Sequence, residues 1–216
     1  DCYADLGYRT VSTNPCGEIP LCPYDSCRLL AINLYSYVVN PFKPDAYFDF
    51  DLFKKHVALA QRIMDDIIDL ELEKIERIMA KIDSDPENED VKHTESVLWQ
   101  KIYKKSGQGR RTGVGITAEG DMLAALGLRY GTEEATEFAE KVHQTVALSA
   151  YRSSVEMAKE RGAFEVYDSE REKNNPFINR LREADPELYE EMKKYGRRNI
   201  ACLTIAPTGT TSLMTQ

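Results

Sequence analysis

The sequence predicts an α/β fold. Three observations carry that reading. Two runs, 107–117 and 199–206, are rich in small, apolar and β-branched residues and lack a helical period. Between them lie long stretches in which apolar residues return every three or four positions. Breaks rich in Gly or Pro separate the two kinds of segment. Strand-like pieces set between long helices argue for α/β architecture and against a helical bundle. No complete sheet can be counted, and there is no internal repeat or low-complexity tract.

The elements follow in order. Residues 1–28 are rich in Pro, Cys, Tyr and Gly and read as loop with short extended pieces. The apolar stretch 29–39 is compatible with strand or helix, and Asn40-Pro41-Phe42-Lys43-Pro44 ends it. Asp49 or Asp51 can cap a helix beginning near Leu52. From Phe53 the apolar positions Val57, Leu59, Ala60, Ile63, Met64, Ile67, Ile68, Leu70, Leu72, Ile75, Ile78, Met79 and Ile82 recur mostly in steps of three and four, which predicts an amphipathic helix in one piece or two. The acids Asp65, Asp66, Asp69, Glu71, Glu73 and Glu76 resemble a metal cluster. The plainer reading is a solvated face with Lys and Arg interspersed. Residues 84–90 form an acidic surface loop, and 95–105 a short helix with Trp99 as a core anchor.

The glycines of Gly109-Arg110-Arg111-Thr112-Gly113-Val114-Gly115 do not match a dinucleotide fingerprint, and close backbone packing is the better reason for them. A helix follows over 121–126. Thr132-Glu133-Glu134-Ala135 opens a long one that runs to Arg161 and ends at Gly162. Residues 163–167 are short and extended. Residues 174–195 are helical, with Asp185-Pro186-Glu187 opening a second helix. The run 199–206 is a buried strand. It feeds into Pro207-Thr208-Gly209-Thr210-Thr211-Ser212 and then apolar Leu213-Met214. A strand, a hydroxyl-rich turn and a helix start can hold an anion on backbone N–H groups. Taken alone, the segment is more simply a Ser/Thr-capped helix, and it lacks the Lys of a Walker loop.

Composition narrows the class. The chain has 216 residues, 42% hydrophobic and 30% charged, with a net charge of −8. That balance suits a soluble globular chain and does not favour nucleic acid or an anionic membrane. No apolar run is long enough to span a bilayer, and the first residues show no signal peptide. The five cysteines are Cys2, Cys16, Cys22, Cys27 and Cys202. Their odd number and their spacing suit neither a secreted disulfide scaffold nor zinc. His56, His93 and His143 are scattered through helical sequence. No directly bound metal is expected.

The chemistry concentrates in Asn14-Pro15-Cys16-Gly17-Glu18. On an extended segment alternate residues point the same way, so an amide, a thiol and a carboxylate would share one space. An amide can hold a hydroxyl, a carboxylate can move a proton, and a sulfur can do radical chemistry.

Three separated motifs resemble the catalytic subunit of ribonucleotide reductase. The first is Asn14-Pro15-Cys16-Gly17-Glu18-Ile19-Pro20-Leu21, with Cys27-Arg28-Leu29-Leu30-Ala31-Ile32-Asn33-Leu34 after it. The second is Arg110-Arg111-Thr112-Gly113-Val114-Gly115-Ile116, followed by Ala158-Lys159-Glu160-Arg161-Gly162-Ala163-Phe164. The third is Ala206-Pro207-Thr208-Gly209-Thr210-Thr211-Ser212. Their order and approximate spacing match the family across nearly the whole chain.

The resemblance implies part of a ten-stranded α/β barrel with a finger loop through its centre, near 12–28, and a phosphate loop at 207–212. It makes Cys16 the thiyl radical that abstracts the 3′ hydrogen of the ribose. Asn14 would bind the ribose hydroxyls, and Glu18 would be the acid/base for the 3′-hydroxyl proton. Cys27 would be one of two reducing cysteines, its partner lying before residue 1. The family usually has Cys-Asn-Leu-Gly-Ser where this chain has Cys27-Arg28-Leu29-Leu30-Ala31. Pro207, Thr208, Gly209, Thr210, Thr211 and Ser212 would hold the substrate's phosphates. Asn-Pro-Cys-Gly-Glu and Pro-Thr-Gly-Thr look like the adenosylcobalamin-dependent class II, in which the cofactor's Co–C bond supplies the radical.

The resemblance further implies a cytoplasmic enzyme acting on ribonucleoside diphosphates or triphosphates, with a thioredoxin- or glutaredoxin-like reductant. The family's N- and C-terminal parts are missing, so the expectation is a central piece, inactive without the remaining segments. Two other readings compete. One is a non-catalytic regulatory or interaction segment on the same scaffold, against which the intact Asn14, Cys16 and Glu18 speak. The other is a thiol–disulfide protein using Cys16, Cys22 and Cys27, which lacks Cys-x-x-Cys.

Overall fold

The computed structural model describes residues 1–26 and 28–215. Its strands are β1 (Ser12–Thr13), β2 (Pro20–Leu21), β3 (Leu29–Asn33), β4 (Val38–Val39), β5 (Tyr47–Phe48) and β6 (Gly113–Thr117). Its α-helices are α1 (Phe50–Ser84), α2 (Glu89–Gly109), α3 (Glu119–Ala125), α4 (Glu133–Arg161), α5 (Ser169–Glu172), α6 (Pro176–Ala184), α7 (Pro186–Tyr195) and α8 (Gly209–Met214).

The apolar stretch after residue 28 resolves into strand followed by a 3-10 turn: β3 passes into Leu34–Tyr37. β3 pairs in parallel with β6, Leu29 opposite Gly113 and Asn33 opposite Thr117. Parallel neighbours need a long crossover, and α1 and α2 supply it. On the other side of β6, Val114 forms a parallel bridge with Leu203. The N–H groups of Thr112 and Val114 donate to the carbonyls of Ala201 and Cys202, and the Thr204 N–H donates back to Val114. The expected strand at 199–206 is therefore a single bridge with a short ladder. Three neighbouring parallel segments make an arc of sheet, which is part of the α/β barrel expected. Every residue of β6 is buried, as its run of small and β-branched residues predicts.

Gly115 shows why that run carries glycine. A Cβ there would lie 2.2 Å from the Thr204 carbonyl oxygen, a backbone atom that cannot rotate away. Gly115→Ala should push the 203–205 segment off β6 and cost about 3 kcal/mol. A shift of less than about 1 kcal/mol in a urea titration would contradict this close packing.

The Asp49 side chain caps α1 by accepting the Leu52 N–H at 2.9 Å, and α1 runs unbroken for 35 residues. It packs against both strands, α2 and α4. Phe53, Val57, Ala60 and Met64 from its inner face join Leu34, Val114, Val142, Val155, Leu188 and Cys202 in one core. The α4 boundaries follow the sequence: Thr132 caps Ala135, and Gly162 takes a positive φ at the end. Residues 163–167 form no strand.

Three expectations fail along α2. It starts at Glu89, six residues before the expected 95, because the Asn88 side chain caps it by accepting the Asp90 N–H. It also runs through the expected turn to Gly109, where Arg110 takes left-handed φ. Trp99 is only half-buried and belongs to neither apolar core. α2 buries only Ser106 and Gly109 fully, because among the helices α1 is its main contact.

Candidate functional site

Residues 12–21 form a hairpin, not one extended run. The Gly17 N–H donates to the Asn14 carbonyl at 3.0 Å, a β-turn with Pro15 and Cys16 at its corners. Gly17 then takes φ +82°, a left-handed conformation that favours glycine. Asn14 closes the loop twice. Its N–H donates to Ile19 O at 3.2 Å, and its side-chain oxygen accepts the Ile19 N–H at 3.0 Å. The amide oxygen of Asn14 is thus committed to the hairpin, which leaves its NH2 end as the group for a ligand oxygen. Cys16 is exposed at the turn.

Glu18 is half-buried and is tied to the sheet region through its backbone. Its carbonyl accepts the Thr204 hydroxyl at 3.2 Å, fastening the hairpin to the segment beside β6. Its Oε2 is shielded from water and has no hydrogen-bond partner among the described residues. A buried carboxylate oxygen left without a donor is costly unless a ligand supplies one.

Three residues beyond Thr204 the chain enters the 207–212 turn. Thr208 stands at the cap position of α8 with no side-chain bond to the helix, and the Ser212 N–H closes the first turn on Thr208 O at 2.7 Å. The ordinary capped-helix reading of this segment therefore lacks its cap. The Ser212 hydroxyl donates to Gly209 O at 2.7 Å. Thr204, Pro207, Thr208 and Thr211 line a cavity of about 190 Å³ with Leu30 and Gly115. The structure thus brings Glu18 to Thr204, and Thr204 to the 207–212 turn. Asn14, Cys16 and Glu18 do not line that cavity themselves. Cys27 lies outside the described residues.

The two buried thiols, Cys22 and Cys202, are poor nucleophiles. Cys22 is buried and points at Asp25, 3.5 Å away; burial first, and that carboxylate second, push its thiol up to about 11. Burial pushes Cys202 up to about 12. A raised thiol pKa stabilises the fold while the unfolded thiol is still protonated, and that contribution is lost as pH rises from about 9 through 11 to 12. The urea midpoint should therefore fall between pH 8 and 11, and less so in Cys22→Ala. Alkylation at pH 8 should label exposed Cys16 well before Cys22 and Cys202. Equal labelling in the folded chain would contradict the burial described.

The reading of the α1 acids as one solvated face is corrected at Asp65. This carboxylate is fully buried. Its Oδ1 accepts from Arg110 Nε at 2.8 Å and Asn199 Nδ2 at 2.9 Å, and its Oδ2 from Arg198 Nε at 3.3 Å. Asp66 and Asp69 lie beside it but pair with Arg161 and Arg110 at 2.7 Å. The three carboxylates are already matched by guanidinium groups, which makes the cluster an ion-pair hub. Arg110 and Asn199 lead directly into the two strand segments that carry the site. A second buried pair, Arg197 with Glu172, is joined by the Tyr3 hydroxyl, which donates to Glu172 at 2.9 Å. Arg28 bonds Glu71 on α1, and its Nη2 donates to Ser106 on α2 at 2.8 Å. Sequence reasoning missed these hubs. The sole signal was Arg in otherwise apolar or Gly-rich runs.

Comparison with known proteins places this architecture. The family model described as "Ribonucleotide reductase, barrel domain" matches residues 7–216. A vitamin B12-dependent ribonucleoside-diphosphate reductase of Thermoplasma acidophilum is 35% identical over 204 residues, 94% of this chain and 20% of that protein. One from Mycobacterium tuberculosis is 30% identical over 207 residues, 95% of this chain and 23% of that protein. The chain thus spans about a fifth of the length of these relatives. Among solved structures, the Actinobacillus ureae class Id ribonucleotide reductase alpha subunit superposes with a TM-score of 0.63 at 19% identity, over 99% of this chain and 32% of that one. No described helix is long and apolar enough to cross a membrane. With a family model covering all but its first six residues, this chain belongs to the ribonucleotide reductase barrel-domain family.

Proposed function

We propose that the chain is the central part of a ribonucleotide reductase catalytic barrel and supplies its radical cysteine, its acid/base and its phosphate loop. The observation that carries this is the hairpin. It exposes Cys16 at its turn while Glu18, two residues on, turns an unpartnered buried oxygen inward and is tied to Thr204, just before the 207–212 turn. In this reading the Cys16 sulfur abstracts the 3′ hydrogen and Glu18 takes the 3′-hydroxyl proton. The Asn14 NH2 group orients a ribose hydroxyl. Cys27 and a second cysteine outside this chain give two electrons and two protons, closing a disulfide as the 2′-hydroxyl leaves as water. Backbone N–H groups and hydroxyls of residues 207–212 hold the phosphates.

The relatives named as vitamin B12-dependent favour adenosylcobalamin as the radical source. When bound, that cofactor supplies the radical by homolysis of its Co–C bond. The exposed Cys16 sulfur fits a donor presented from outside the hairpin, and the remaining segments of the reductase would hold it. The substrate would be a ribonucleoside di- or triphosphate, and the reductant a thioredoxin- or glutaredoxin-like protein in the cytoplasm. Because the sheet is an arc of three segments, the chain should be inactive alone and active with the complementary segments. The measurement is formation of deoxyribonucleotide with adenosylcobalamin and dithiol. Turnover by the isolated chain would refute the dependence on other segments, and none after reassembly would refute the assignment.

A further inference from the structure

The C-terminal ends of β3 and β6 open on a second, larger cleft, of about 680 Å³, that the reading above leaves unused. Tyr35 and Phe42 form one wall, their ring centres 6.4 Å apart and tilted by 42°. Ala118, Gly120 and Ala124 line the cleft too, with the carboxylates of Glu119, which meets His143 at 3.2 Å, and Asp121. Thr208 and Ser212 of the hydroxyl-rich turn lie on its border. Phe42 is 70% exposed, a large apolar ring facing water. Its backbone is left-handed at φ +61°, and its N–H is pinned to Ala125 O at 2.8 Å. The ring is therefore held out at the cleft mouth by the fold. A volume of this size admits a nucleotide, and exposed aromatic faces stack on planar bases.

We propose that Tyr35 and Phe42 form a stacking platform for the base of a nucleotide whose phosphates face residues 208–212. The phosphate half of this statement rests on the reading of that turn given above, whereas the platform itself does not.

The test uses the 216-residue chain, with ligand-observed NMR and calorimetry, and three probes: adenosine, ADP and pyrophosphate. Phe42→Gly removes the ring and suits the left-handed backbone, so the fold should persist; Tyr35→Leu keeps the bulk. ADP should bind at least about tenfold more tightly than pyrophosphate, and each variant should remove most of that advantage. Pyrophosphate affinity should be unchanged in both. Adenosine binding that depends on Phe42, with no pyrophosphate binding, upholds the platform and sinks the phosphate assignment alone. Adenosine and ADP affinities unchanged in both variants, or absent in the parent chain, overturn the platform.

Discussion

Cys16→Ser, in a reductase reassembled from this chain and its complementary segments, should reduce turnover to background while leaving ribonucleotide affinity within about twofold. The side chain is exposed at the hairpin turn, and the turn is closed by backbone bonds and by Asn14, none of which uses the sulfur. Serine is nearly isosteric, so the hairpin should keep its shape. What changes is the strength of the bond to hydrogen. An S–H bond is weak enough to be broken and remade against a ribose C–H, whereas a serine O–H is not. Glu18→Gln gives the contrast that separates the roles. It keeps the shape and removes a proton acceptor, an effect of about 10² to 10⁴ in rate, so slow turnover should survive. Measurable turnover in Cys16→Ser would remove the radical assignment. Loss of nucleotide affinity in that variant would mean that the residue acts in binding.

The elements legible in the sequence were those whose signals are local. The cap Asp49, the cap Thr132, the terminator Gly162 and the buried run of β6 each depend on residues within a few positions. The misses depend on distance. Asn88 lies in a stretch so acidic that composition reads it as loop, although one side-chain bond starts a helix there. Trp99 is the sole tryptophan, and a large apolar ring suggests an anchor without showing what covers it. Asp65 looks like its neighbours Asp66 and Asp69 until the chain brings Arg110 and Asn199 to it, from 45 and 134 residues away. The site divides in the same way. The residue types of Asn14, Cys16 and Glu18 suggested their chemistry, but alternation along an extended strand was the wrong geometry. Gly17 in left-handed conformation turns the chain back, so Cys16 faces out while Glu18 is fastened to Thr204.

The hub at Asp65 is where the largest loss of stability should occur. Asp65→Ala should cost about 3–5 kcal/mol, because it leaves the guanidiniums of Arg110 and Arg198 beside an empty, water-poor site. Arg110 is 4% exposed and would keep only Asp69 as a carboxylate partner. Against a usual total of about 5–15 kcal/mol, that is about a fifth of the stability or more. The surface pair Arg62–Glu160 makes two short bonds, at 2.7 and 2.8 Å, yet both side chains are partly exposed. Glu160→Ala should cost less than about 1 kcal/mol and be weakened by salt. The comparison decides whether burial or bond geometry sets the value of an ion pair here. Urea titrations of both variants at low and high salt provide it, read as changes in midpoint at constant slope. A cost below about 1 kcal/mol for Asp65→Ala would show that the hub is replaceable. The consequence extends to the proposed site. Asn199 bonds Asp65 through its amide and Arg110 through the backbone carbonyl, at 2.9 and 3.0 Å, and so sets β6 against the 199–206 segment. Thr204, the contact of Glu18, and the 207–212 turn both hang from that segment, so loss of the hub should loosen the hairpin and the turn together.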